Sequence, residues 1–150
     1  MSRFYLFVGM CLISSPALGC SCTKPIMTLE EEIRRAFSSA LTIVQAQAIA
    51  VKDEVVPAPK EAPPLLQKQR VTWQITRTWK GSYEPRSTIE SVTDGFYGAC
   101  GVAVKKGDVY VLYLHGSLPF FLSICSESKP LKDAAQEIVI LDALSSGAGA

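Results

Sequence analysis

The sequence predicts a mainly β domain with flanking helices, closed into a five-stranded Greek-key barrel of the OB type. Three observations carry that expectation. Val71, Trp73, Ile75 and Trp79 alternate with Thr72, Gln74, Thr76 and Thr78, the period of a half-buried antiparallel strand. Further β-branched and aromatic runs follow at short intervals, separated by turns that contain glycine. Helical patterns stand only at the two ends of this series. A flat sheet of such strands would leave open edges to manage, and closure into a barrel removes them.

The elements follow in chain order. Thr28 and Glu31 have the spacing of a capping box, and Leu29, Ile33, Ala36 and Phe37 share one helical face, which predicts a helix over 29–37. Glu30 to Glu32 suit its first turn and Arg34 and Arg35 its last. Ala40 to Val51 reads as a strand. Lys52 to Pro64, with four prolines, reads as an exposed loop. The alternating strand through Trp79 ends at Lys80-Gly81. Weaker or shorter strands are expected at Thr88–Thr93, Val102–Val104, Val109–Leu114 and Phe120–Ile124. Lys129-Pro130 opens a last helix whose apolar face is Leu131, Ala135, Ile138 and Leu141. Both tryptophans are expected in the core, and residues 145–150 form a disordered tail.

Length and charge narrow the function classes. The 150 residues suffice for one small domain, and a net charge of +1 gives no reason to expect nucleic acid or an anionic membrane as partner. Residues 1–19 read as a Sec signal peptide. Arg3 supplies the positive start, Phe4–Ile13 the apolar stretch, and Ala17 and Gly19 the small residues of a cleavage site. The apolar run is too short for an ordinary transmembrane helix. The domain proper is then 20–144, in a secreted or periplasmic protein expected to act as a monomer.

Cleavage after Gly19 would remove Cys11 and make Cys20 the first residue. Cys20, Cys22, Cys100 and Cys125 remain, an even set that favours a disulfide framework with three possible connectivities. Cys20 with Cys22 is the least favoured pair, because same-side neighbours in an extended chain bridge poorly. A cysteine metal site lacks the paired C-x-x-C or histidine spacing that structural zinc prefers. A redox pair prefers C-x-x-C over C-x-C. Lipidation of Cys20 is the lesser alternative: Ala17 stands where a lipobox carries leucine, and the modification would leave an odd cysteine. His115, the sole histidine, sits in a glycine-containing turn and reads as a solvated residue. With no nucleophile–base pair, metal cluster or paired carboxylates in sight, the sequence predicts no enzyme.

Cys20-Ser21-Cys22 directly after a signal peptide, Ala36-Phe37 before the apolar strand Leu41–Val44, Trp79-Lys80-Gly81, Cys100-Gly101 and Cys125 occur in one order. In these features the chain resembles the inhibitory N-terminal domain of the tissue inhibitors of metalloproteinases, a branch of the netrin-like OB-fold superfamily, over most of 20–144. The resemblance implies the bonds Cys20–Cys100 and Cys22–Cys125. It implies an inhibitor whose first residue chelates the zinc of a metalloendopeptidase through its free α-amine and carbonyl, a role that falls to Cys20. Ser21 would enter the protease's main specificity pocket. Cys22, Thr23 and Lys24 would lie along one side of the cleft, and Gly98 and Ala99 along the other. No cofactor is implied beyond the zinc of the target. A netrin-like binding or structural module without inhibitory activity is the alternative reading. The chain departs from the family at Ser38, where the family places a cysteine of a third disulfide, and at Lys24, where it usually carries proline.

Overall fold

The computed structural model describes residues 20–23, 25–57, 65–94 and 100–147. The predicted signal peptide, Lys24, Gly98 and Ala99 lie outside them. In chain order come helix α1 (Leu29–Ser39), strands β1 (Thr42–Pro57), β2 (Leu65–Lys80), β3 (Thr88–Asp94), β4 (Val109–Leu114), β5 (Phe120–Leu122) and β6 (Lys129–Pro130), a 3-10 turn (Leu131–Asp133) and helix α2 (Ala135–Ser145). The strands form one six-stranded sheet in the order β5-β3-β2-β1-β4-β6. All neighbours are antiparallel except β3 and β5, which run parallel.

The mainly β architecture with two helices is as expected, while the five-stranded closed barrel is not. The sixth strand is the two-residue β6, and among the described residues no ladder joins β5 to β6. The sheet curls into a half-barrel instead. Its two edges belong to one short stretch of chain, since residues 123–128 link β5 to β6 and contain a turn closed by Ser126 N–H to Ser123 O. A flat ladder of this many strands is about 24 Å wide, too far for a turning segment of that length. Register shifts in β1 at Ile43/Val44, Gln45/Ala46 and Ala48/Ala50 provide the bends that let the strand follow the curve.

The curl separates two apolar layers. On the inner face Val44, Ala46, Ala48, Val71, Trp73, Ile75, Ile89, Tyr110, Leu112, Leu114, Phe120 and Leu122 form one core. On the outer face Ile43, Trp79, Val111 and Tyr113 pack against Ile33, Ala36 and Ala40 at α1 and Ala134 and Leu141 at α2. β4 is buried on both sides, which explains why its sequence is a continuous apolar run rather than an alternating one. Trp73 is fully buried with its indole N–H donating to Ser91 Oγ at 2.8 Å, so its polar handle is satisfied.

Several boundaries differ from expectation for physical reasons. α1 starts with the expected capping box, in which Thr28 N–H donates to Glu31 Oε2 at 2.8 Å and Glu31 N–H to Thr28 Oγ1 at 3.3 Å. The Thr28 N–H, and then the Thr28 hydroxyl donating to the same Oε2 at 2.9 Å, hold the Glu31 carboxyl below its usual pKa. The helix runs on to Ser39, so Arg34 and Arg35 fall short of its last turn. The expected loop over 52–64 begins later, because β1 continues to Pro57. The prolines start only there, and Lys52 to Val56 pair with β2 as a ribbon. Arg70 ties that ribbon to its neighbour, bonding Glu54 at 2.7 Å and Glu90 at 3.3 Å. The expected strand at 102–104 is irregular: Val102 N–H donates to Thr93 Oγ1 and Val104 N–H to Gln69 Oε1, so side chains replace a ladder. The last helix does not start at Lys129-Pro130, which pairs with β4 instead, and its buried face uses Ala134 where the pattern put Ala135.

Candidate functional site

Of the residues singled out by the sequence, the described ones, Cys20 to Thr23 with Cys100 and Cys125, lie together where the chain enters the domain. Cys20 bonds Cys100 and Cys22 bonds Cys125, both with Cα atoms 5.3 Å apart. The bridged residues are 80 and 103 positions apart in sequence, so the entering segment is fastened twice to the far half of the chain. Ser21, between the two anchors, and Thr23, after them, are exposed, while Cys20 and Cys22 are half-buried.

The anchors are themselves fixed. Ile124 N–H donates to Cys100 O at 3.0 Å, which joins the segments that carry the two receiving cysteines. Cys125 N–H donates to Ser123 Oγ, and the Ser123–Ser126 turn holds it in place. Gly101 explains the Cys-Gly pair: a Cβ there would lie 2.0 Å from the carbonyl oxygen of Asp94. Only glycine lets the segment after Cys100 press against the end of β3. Cys125 is exposed and flanked by exposed Ile124, with Phe121 and Leu118 also exposed earlier on the same segment.

With their thiols in disulfides, these cysteines offer neither nucleophile nor metal ligand through sulfur. Among the described residues no three His, Cys, Asp or Glu side chains cluster as a metal site would require. What the edge presents is backbone and the Ser21 and Thr23 hydroxyls, with exposed Ile124 beside Cys125, on a segment fastened by two disulfides. An open cavity of about 440 Å³ lies elsewhere, between Gly107–Tyr110 and Pro130–Lys132, and contains none of these residues. His115 is exposed after β4.

Three supporting interactions were not legible as such. Lys80 Nζ donates to Phe37 O at 2.6 Å and Ser38 O at 3.1 Å, placing a cation on the carbonyl end of α1 where Arg34 and Arg35 were expected. Trp79 Nε1 donates to Asp142 Oδ1 of α2 at 2.6 Å. Gly81 has φ +105°, and a Cβ there would meet Thr42 Oγ1 at 2.7 Å. The Trp79-Lys80-Gly81 stretch thus fastens both helices to the sheet. On the outer face the buried Glu137 accepts from Tyr113 Oη at 2.6 Å and pairs with Lys129.

Fold and edge together define a small, mainly β domain with a disulfide-tethered entry segment. Compared with known proteins, the sequence matches no family model and no curated protein. Two disulfides suit a chain that folds in an oxidising, extracytoplasmic compartment. Among the described residues no helix is long and apolar enough to cross a membrane.

Proposed function

We propose that the protein is an exported inhibitor of zinc metalloendopeptidases, related to the tissue inhibitors of metalloproteinases and to netrin-like domains. The observation that carries this reading is the exposed Ser21 held between two half-buried, disulfide-bonded cysteines. A chain cleaved after Gly19 would begin at Cys20. Its α-amine titrates near pH 8, so a useful neutral fraction exists at neutral pH to donate to a metal. Amine nitrogen and carbonyl oxygen of Cys20 then form a five-membered chelate at the open position of the protease's catalytic zinc. Ser21 enters the adjoining specificity pocket, and Thr23 and Lys24 continue along the cleft, with Gly98 and Ala99 on its other side. The tethers order the chelating residue in advance, which saves about 1–2 kcal/mol of backbone entropy per residue on binding. We further read the curled sheet as an OB-type barrel opened at one seam. The consecutive antiparallel run of β1, β2 and β3, the return of β4 to β1, the parallel β3–β5 pair and the short link between the edges support that reading.

A single alanine inserted before Cys20 of the mature chain tests the mechanism. It converts the α-amine into an amide, a poor donor, and puts a residue where the metal must sit. The extended protein is expected to keep its thermal midpoint and to lose inhibition of every zinc endopeptidase the native chain blocks. Equal inhibition by both forms would overturn the chelation mechanism in favour of a binding module of the same fold.

A further inference from the structure

The C-x-C spacing disfavours Cys20 and Cys22 as a redox pair with each other, yet the folded chain brings a different pair of sulfurs together. Sγ of Cys20, bonded to Cys100, stands 4.0 Å from Sγ of Cys125, bonded to Cys22. Sulfurs of two separate bonds are then almost in contact. Cys125 is exposed and the other three cysteines are half-buried, so a small thiol reaches the cluster. The receiving segments are held side by side by the Ile124–Cys100 hydrogen bond, which keeps the two bonds adjacent.

We propose that the two disulfides form one thiol–disulfide exchange site, whose co-reactant is a small-molecule thiol and whose singly reduced product is Cys20–Cys125. Disulfides break by attack of a thiolate on one sulfur, with the other leaving as thiolate. When an external thiolate attacks Cys100, its sulfur bonds Cys100, the Cys100–Cys20 bond breaks, and the electron pair leaves on Cys20. The Cys20 thiolate then attacks the adjacent Cys125, forming Cys20–Cys125 and releasing Cys22, which takes a proton from water. A second external thiol resolves the mixed disulfide at Cys100, so two thiols are oxidised to a disulfide and one protein bond is reduced. Entry from the other side converges on the same product. Attack at Cys22 frees Cys125, which attacks Cys20 and releases Cys100, and a second external thiol resolves the mixed disulfide at Cys22. Attack at the exposed Cys125 frees Cys22, and once a second thiol resolves that mixed disulfide the Cys125 thiolate attacks Cys20 and releases Cys100. Residue 20 is therefore still bonded to the domain in the singly reduced product, and Cys22 and Cys100 become the free thiols. The inference rests on the geometry of the bonds and stands whether or not the protein inhibits a protease.

The test is a bond map of the oxidised chain treated with limiting dithiothreitol at about pH 8, where thiolate is abundant. Acid quenching and alkylation with N-ethylmaleimide then freeze the thiols for peptide mapping. Singly reduced molecules are expected to carry Cys20–Cys125 with label on Cys22 and Cys100. Singly reduced molecules that retain only Cys20–Cys100 or Cys22–Cys125 would overturn the proposal. The Cys100→Ser variant provides a second measurement should the two bonds reduce together. At neutral pH it is expected to divide between Cys22–Cys125 and Cys20–Cys125, with label found on Cys22 as well as on Cys20. Label confined to Cys20 would count against the exchange.

Discussion

At the scale of single residues, one side chain and one missing side chain do more than their composition suggests. Lys80 supplies the cation that α1 lacks in its own last turn, through two bonds to backbone carbonyls. Replacing it with methionine keeps the aliphatic stem over Phe37 and removes only the donors. The expected loss is about 1–2 kcal/mol in urea denaturation, the lower part of the range for charge-assisted bonds because the ammonium is partly solvated. Gly101 is the stricter position. A methyl group 2.0 Å from the Asp94 carbonyl has no flexible neighbour to displace, so backbone must move. Gly101→Ala should cost about 1–3 kcal/mol as overpacking does, read as a lower thermal midpoint, and should slow correct formation of the neighbouring Cys20–Cys100 bond.

At the scale of elements, legibility followed periodicity. The capping box, the alternating strand through Trp73 and the buried run at Val109–Leu114 were plain in the sequence, because each is a local pattern with a local cause. Residues 52–56 were not, since their strand pairing depends on partners in β2 and the prolines downstream suggested otherwise. Val102–Val104 misled in the opposite sense: β-branched residues there serve the core while their backbone bonds to Thr93 and Gln69 side chains. At the candidate site, Ser21 and the cysteines were visible as a motif, whereas the constraint on Gly101 exists only once β3 lies beside it. Between elements, α2 meets the sheet through Tyr113 and the buried Glu137. Burial first, then the bond to Glu137, raises the Tyr113 pKa above its ordinary value. The protonated phenol is what the fold favours, so its contribution is whole below pH about 10 and shrinks above it, where the unfolded chain gives up the proton. Stability should therefore fall on alkaline titration. Tyr113→Phe should lower stability at neutral pH by about 1–3 kcal/mol, leaving a buried carboxylate short of one donor, and should make the alkaline decline shallower. Denaturation curves between neutral and alkaline pH check both outcomes. Tyr110, also raised mainly by burial, contributes a decline of the same sign that persists in the variant.

At the scale of the whole molecule, the half-barrel depends on covalent fastening as well as on its two apolar layers. Its edges β5 and β6 share no ladder among the described residues, and the entry segment is held by disulfides rather than by strand pairing. Removing the Cys22–Cys125 bond by replacing both residues with serine should cost about 2–5 kcal/mol. The readout is the drop in unfolding midpoint compared with the parent, and the variant's midpoint should respond less to added reductant. The same long spans fix an order in time. Of the four bridged cysteines Cys20 and Cys22 are made first, and their partners follow 80 and 103 residues later. At about 5–20 residues per second Cys20 waits about 4–16 s and Cys22 about 5–21 s before its partner exists. Each bond can close only once its later cysteine has been made, so the edge takes its final form well after the residues it anchors have emerged.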